Sequence, residues 1–175
     1  RYINLGSKNV EKSTNLKNYL AAPKMSNKLT NEFTKAIQKR LVIIFASIHE
    51  NIEEEAAIIS HFQSKTLNPN ILTIIVPRYP QKTKNIIKLS REYKLNTLKR
   101  SEANLPSSST DIYIADTIGE LGTFYEAGDI CFIGGSLASK GGHNLIEPAL
   151  EKCAIIFGPD VSNHLSTAKI LLNNN

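Results

Sequence analysis

Apolar positions along the chain fall into short continuous runs separated by stretches of helical spacing. Leu41 to Ala46, Ile71 to Val76, Asp111 to Ala115, Asp129 to Ile133 and Cys153 to Phe157 read as buried strands, with a further short strand near Thr97 to Arg100. Between them the spacing predicts helices over Ile52 to Phe62, Thr83 to Tyr93, Ile118 to Ala127 and Leu145 to Lys152, and a last one from Ser162. Strands that are apolar on both faces and joined by helices of this length need crossover connections. The pattern therefore predicts an α/β fold with an open, doubly wound parallel sheet. Ligands of such sheets bind outside the carboxyl ends of the strands, so chemistry is sought in the loop after each strand.

Upstream of this alternation, Arg1 to about Gln38 is polar and rich in Asn, Lys and Ser. It reads as a linker with one short helix near Asn31 to Lys39, leaving residues 39–175 as a single domain. The 175 residues suffice for one such core. The chain starts at Arg1 and stops within a helical pattern, so a piece of something longer, truncated at both ends, is expected.

Charge and cysteine content narrow the partners. The net charge of +5 is spread along the chain without a compact basic arm, so a nucleic-acid partner is not indicated. The surplus fits either attraction to anionic sugars, phosphates or lipid headgroups, or a general Lys-rich composition. Cys131 and Cys153 sit within apolar runs and read as buried thiols of a reducing compartment. No apolar run approaches the roughly 20 residues needed to cross a bilayer.

The loops after the strands carry the candidate chemistry. Ser47 and His49 follow the first strand, where Asn51 and Glu54 form a capping-box pattern and the run Glu53 to Glu55 favours the positive end of the helix dipole. With no second His at ligand spacing, a metal site is not expected there. Two prolines fix the turn that holds Arg78, whose guanidinium suits a phosphate or carboxylate. In Asp116 to Gly122, Asp116 or Thr117 is expected to cap the next helix, with Glu120 as ligand contact or dipole partner. The glycine-rich stretch Gly134 to Pro148 is the most informative. Its glycines are expected to present unobstructed amides, which with Lys140 would take a phosphate, while Glu147 would take ribose hydroxyls. Asn144 is expected to open the helix that carries Glu147.

Asp116 to Gly122, Phe132 to Ser136, Gly141 to Asn144, Glu147-Pro148 and Phe157 to Pro159, in this order, resemble the carboxyl-terminal domain of 3-deoxy-D-manno-octulosonic acid (Kdo) transferases. Ser47 to Glu50 and Val76 to Pro80 resemble that family's Ser-Thr-His-Glu and Pro-Arg-His-Pro segments, with Ile48 and Tyr79 departing from them. The resemblance runs from about Leu5 to His164. It implies the Rossmann-like carboxyl-terminal half of a GT-B glycosyltransferase, which binds the donor CMP-Kdo. Kdo would pass to a lipid A precursor of lipopolysaccharide synthesis, at the cytoplasmic face of the bacterial inner membrane. The positions that match donor-binding ones are Arg78, Gly119, Glu120, Gly135, Ser136, Asn144 and Glu147, to which the loop reading adds Ser47 and Lys140. The glutamate base is implied in an acceptor domain at the amino-terminal side, not in this chain. A donor with one phosphate implies no metal and no cofactor. Two alternatives stay open: a non-catalytic nucleotide-binding remnant, and a GT-B enzyme using another nucleotide sugar.

Overall fold

The computed structural model describes residues 3–8, 10, 22, 24, 26–102 and 105–173. Part of the stretch read as a linker, namely residues 1, 2, 9, 11–21, 23 and 25, lies outside them. A 3-10 turn at Ile3–Leu5 precedes helix α1 at Asn27–Ala36, which Ser26 caps by accepting the Leu29 amide. Phe33 of α1 is fully buried against Tyr113 and Phe124, each with ring centroids 5.5 Å away. The core thus takes in side chains upstream of the first strand.

Six strands form one sheet: β1 Leu41–Ile48, β2 Ile71–Pro77, β3 Thr97–Lys99, β4 Ile112–Ile114, β5 Ile130–Ile133 and β6 Ala154–Phe157. Their spatial order is β3-β4-β2-β1-β5-β6, and every adjacent pair is parallel. The connecting helices are α2 Ile52–Leu67, α3 Lys84–Glu92, α4 Leu121–Ala127, α5 Ile146–Leu150 and α6 Leu165–Asn173. Alternate residues of the strands feed two cores, as the pleat requires. Val42, Ile44 and Ala46 pack with Phe33 of α1, Phe124 of α4 and Ala168 of α6 on one face. Phe45 and Ile75 pack with Ala57 and Ile58 of α2 and Ile86 of α3 on the other. The expected doubly wound parallel sheet is what forms.

Several boundaries differ from the sequence reading. β1 runs on to Ile48 because Ser47, at φ 55°, makes an irregularity that lets pairing resume opposite Pro77. α2 continues past Phe62 to Leu67, where Asn68 closes it. α4 starts at Leu121, three residues late, and neither Asp116 nor Thr117 caps it. Asp116 instead accepts the Ser101 amide and hydroxyl, at 2.8 and 2.7 Å, and pairs with Lys99 at 3.0 Å. Cys131 and Cys153 are both buried free thiols, as the pattern suggested.

From β1 the chain moves to β2, then to β3 at the edge and back to β4 between them, before it places β5 and β6 on the other side of β1. The loops after β1 and β5 therefore lead away from each other, and a crevice opens between them at the carboxyl edge.

Candidate functional site

Two loops meet at that crevice. His49 follows β1 and His143 ends the glycine-rich loop after β5; their Nε2 atoms lie 3.1 Å apart and their rings are 10° from parallel. Burial lowers the pKa of His143 to about 4, and the neighbouring His49 and Arg78 charges push the same way. Burial also lowers that of His49, with Lys140 and Arg78 adding to the effect against the opposing pull of Glu53. Both imidazoles are thus neutral near pH 7. The sequence reading saw no second His near His49, because the partner arrives through the fold from 94 residues away. Among the described residues no third His, Cys, Asp or Glu joins the pair in a group that could hold a metal ion.

Beside the pair lies a cleft of about 610 Å³, lined by His49, Tyr79, Lys82, Ala138 and Lys140 among others. Lys82 is tied to Glu50 at 2.6 Å and sits 5.1 Å from the centre of the Tyr79 ring. Arg78 is exposed, and its backbone amide donates to Ile48 at 2.8 Å, which fixes the turn against β1. Among the described residues, neither the Arg78 guanidinium nor the Lys140 ammonium has an ion-pair partner. Two uncompensated cations beside a neutral histidine pair make this edge attractive to an anion.

The glycine-rich loop departs from the expected cradle of unobstructed amides. Gly135 and Leu137 donate to the Glu53 carboxylate at 2.9 and 3.0 Å, and Ala138 does so at 3.2 Å. Glu53 is fully buried and also accepts the His49 amide at 2.7 Å. The sequence reading gave this residue to helix-dipole stabilisation; its real partners lie more than 80 residues ahead. At its far end the loop is held by Asp160, which accepts the Gly141 amide at 2.8 Å, and by Asn163, which donates to the Lys140 carbonyl at 3.0 Å. Gly135, at φ 73°, makes the turn that lets its own carbonyl accept from Lys140 and Gly142.

The remaining sequence candidates lie along the same edge. Ser47 sits in the β1 irregularity, with its carbonyl against Gly134. The Ser136 hydroxyl is turned inward, donating to Ile133 at 2.5 Å and accepting from Gly158 at 2.8 Å, and the residue is fully buried with its carbonyl accepting from Asp160 at 3.1 Å. Gly119, at φ 87°, is exposed in the loop after β4. Glu120 is engaged in a two-pronged ion pair with Arg100 at 3.0 and 2.8 Å and accepts from the Thr117 hydroxyl. Leu145, not Asn144, stands at the N-cap of α5, and Asn144 lies one residue earlier; its Oδ1 accepts the Ile146 amide at 2.9 Å, and its Nδ2 donates to Glu147 at 2.9 Å.

No protein-family model matches the chain. Among curated proteins it is 39% identical over 145 residues to the 3-deoxy-D-manno-octulosonic acid transferase of Rickettsia felis, covering 82% of this chain and 31% of that protein. The transferase of Haemophilus influenzae is 36% identical over 77% of this chain and 31% of its own length. A probable mitochondrial 3-deoxy-D-manno-octulosonic acid transferase of Arabidopsis thaliana is 35% identical over 74% of this chain and 29% of its own. The chain thus spans about a third of the length of the curated relatives it matches. Among solved structures, the C-terminal CMP-Kdo binding domain of WaaA from Acinetobacter baumannii superposes with a TM-score of 0.74 at 28% identity, over 83% of this chain and 77% of that one. Sequence and fold agree that this chain is homologous to the 3-deoxy-D-manno-octulosonic acid transferases and corresponds to part of their carboxyl-terminal domain.

Proposed function

We propose that this chain is the donor-binding half of a glycosyltransferase that moves Kdo from CMP-Kdo to a lipid A precursor in lipopolysaccharide synthesis. The observation that carries the reading is the likeness to the C-terminal CMP-Kdo binding domain of WaaA, together with a cationic cleft at the switch point of the sheet. In this reading residues 39–175 hold the donor, and residues 1–38 lead from an acceptor domain that supplies the glutamate base. In the same reading the complete enzyme works at the cytoplasmic face of the inner membrane, where it reaches its lipid acceptor. No helix among the described residues is long and apolar enough to cross a membrane, so contact with the bilayer would fall to other parts of that enzyme.

Within the site the single phosphate of CMP-Kdo meets Arg78 and Lys140, which need not give up any ion pair to receive it. The amides of Gly135, Leu137 and Ala138 are already spent on Glu53, so the phosphate is held chiefly by side-chain cations. The same cations stabilise CMP as it leaves. Glu147, oriented by Asn144, takes the ribose hydroxyls, while Gly119 and Glu120 after β4 and Ser47, Gly135 and Ser136 at the crevice complete the donor's surroundings through close backbone approach.

Calorimetric titration of the chain with CMP and with UDP tests this directly. Binding of CMP in clear preference to UDP is expected. Equal affinity, or tighter UDP, would assign the cleft to another nucleotide sugar, and absence of heat with both would reduce the chain to a non-binding remnant.

A further inference from the structure

Glu53 lies in the first turn of α2 and is fully buried, yet both of its oxygens are saturated by backbone donors. Oε2 accepts from His49 at 2.7 Å and Gly135 at 2.9 Å, and Oε1 from Leu137 at 3.0 Å and Ala138 at 3.2 Å. A carboxylate taken out of water is tolerated only when donors replace its hydration. What matters is where these donors come from. His49 belongs to one wall of the cleft, and Ala138 and Lys140 belong to the other. The adjacent Glu54 is nearly as buried, at 2% exposure, but accepts from Asn51 at 3.2 Å and from the Asn85 side chain at 2.6 Å. It ties α2 to its own cap and to α3, and joins no two walls.

We infer that Glu53 is a positioning residue of the nucleotide site: one buried carboxylate sets the separation of the two cleft walls and so places the His49 ring and the Lys140 ammonium against an anionic ligand. The inference rests on the nucleotide-binding reading given above. The route is short. Gly135, held by Glu53, accepts through its own carbonyl the amides of Lys140 at 2.9 Å and Gly142 at 3.2 Å, and Gly142 precedes the His143 that stacks on His49. A glutamine at 53 keeps the shape but turns an NH2 toward two N–H donors. Those amides lose their acceptor, and one wall must move.

The test compares Glu53→Gln with Glu54→Gln in the full chain, measuring CMP affinity by calorimetry and stability by urea unfolding. Glu53→Gln is expected to lose about tenfold or more in CMP affinity, whereas Glu54→Gln lowers the unfolding midpoint with affinity within about twofold of the parent. Parent-like affinity in Glu53→Gln overturns the inference. So does a loss of affinity in both variants that tracks their loss of stability, since Glu53 would then be a structural residue only. Amide hydrogen exchange in the unsubstituted protein gives a second measure that needs no folded variant. Gly135, Leu137 and Ala138 should exchange slowly both with and without CMP; fast exchange in the free protein means that Glu53 does not hold the wall. Failure of the unsubstituted chain to bind CMP would sink the nucleotide reading itself, and the exchange rates of the free protein would still judge the Glu53 clamp.

Discussion

His49 and His143 meet ring to ring at the switch point of the sheet, with 3.1 Å between their Nε2 atoms. A contact between two imidazole nitrogens requires one proton, with one ring donating and the other accepting. A second proton on that axis would turn the accepting ring into a cation and set two N–H groups against each other beside Arg78 and Lys140. Burial and these positive neighbours are what hold both rings neutral. The pair therefore gives the crevice a polar lining that adds no charge of its own near pH 7, leaving the cations to select an anion.

That arrangement makes stability depend on pH in a definite direction. His143 has a folded pKa of about 4 against an ordinary 6.5, and His49 and the buried His61 are also lowered. The unfolded chain binds protons in this range that the folded chain refuses. The contribution is complete above the ordinary value and is lost as pH falls from 6.5 toward 4. Urea midpoints measured from pH 8 downward should hold steady and then drop through that window, and His143→Gln should show a shallower drop. A flat profile would contradict the burial of these rings.

Glu120 and Arg100 give a second prediction. Their side chains are about 15% exposed and joined by two hydrogen bonds, so removing one partner strands the other in a poorly hydrated place. Arg100→Ala should destabilise the domain by roughly 1–3 kcal/mol, and Arg100→Lys, which keeps the charge without the planar fork, should recover part of that. An unchanged urea midpoint for Arg100→Ala would show the pair to be energetically idle.

The sequence and the fold agree best where structure is local. Largely apolar runs such as Ile71 to Val76, too short for a helix of ordinary length, form central strands, and the turn after Val76 holds Arg78 at the edge as its prolines require. Disagreement begins where a partner comes from afar. Glu53 lies in a run of three glutamates that helix-dipole chemistry explains adequately, and nothing nearby points to Gly135. Asp116 looks like a helix cap until Lys99, at the end of β3, and Ser101, just after it, claim its carboxylate. His143 falls within the glycine-rich motif, but its pairing with His49 depends on β5 lying beside β1. The signal that could have found it is topological: adjacent strands with diverging connections bring their following loops together.

Gly134 separates steric from conformational demands on glycine. A Cβ there would lie 2.4 Å from the Ser47 carbonyl oxygen and 2.6 Å from the Ile48 Cα, both backbone atoms that no rotamer change can move. Gly134→Ala should therefore push β5 from β1 and cost about 1–3 kcal/mol or more. At Gly119, φ is 87° but nothing lies within 4 Å, so Gly119→Ala should cost only the left-handed strain of roughly 1–2 kcal/mol. Thermal or urea unfolding of the two variants tests this, and a milder effect at Gly134 than at Gly119 would contradict the close approach of the strands.

Glu147 and Asn144 separate binding from folding at the other side of the crevice. Asn144 Oδ1 accepts the Ile146 amide at the start of α5 without help, while its Nδ2 orients the Glu147 carboxylate, so that bond survives loss of Glu147. Glu147→Ala should consequently change stability by no more than about 1 kcal/mol, the scale of one ordinary hydrogen bond, while weakening CMP binding about tenfold if the carboxylate holds the ribose. Asn144→Ala should do both, because it removes the acceptor of the Ile146 amide and frees Glu147 to turn away. Calorimetry and urea unfolding on the same preparations distinguish the outcomes. A Glu147→Ala protein that unfolds would make Glu147 part of the scaffold, and one that binds CMP with parent affinity would move ribose recognition elsewhere along the edge.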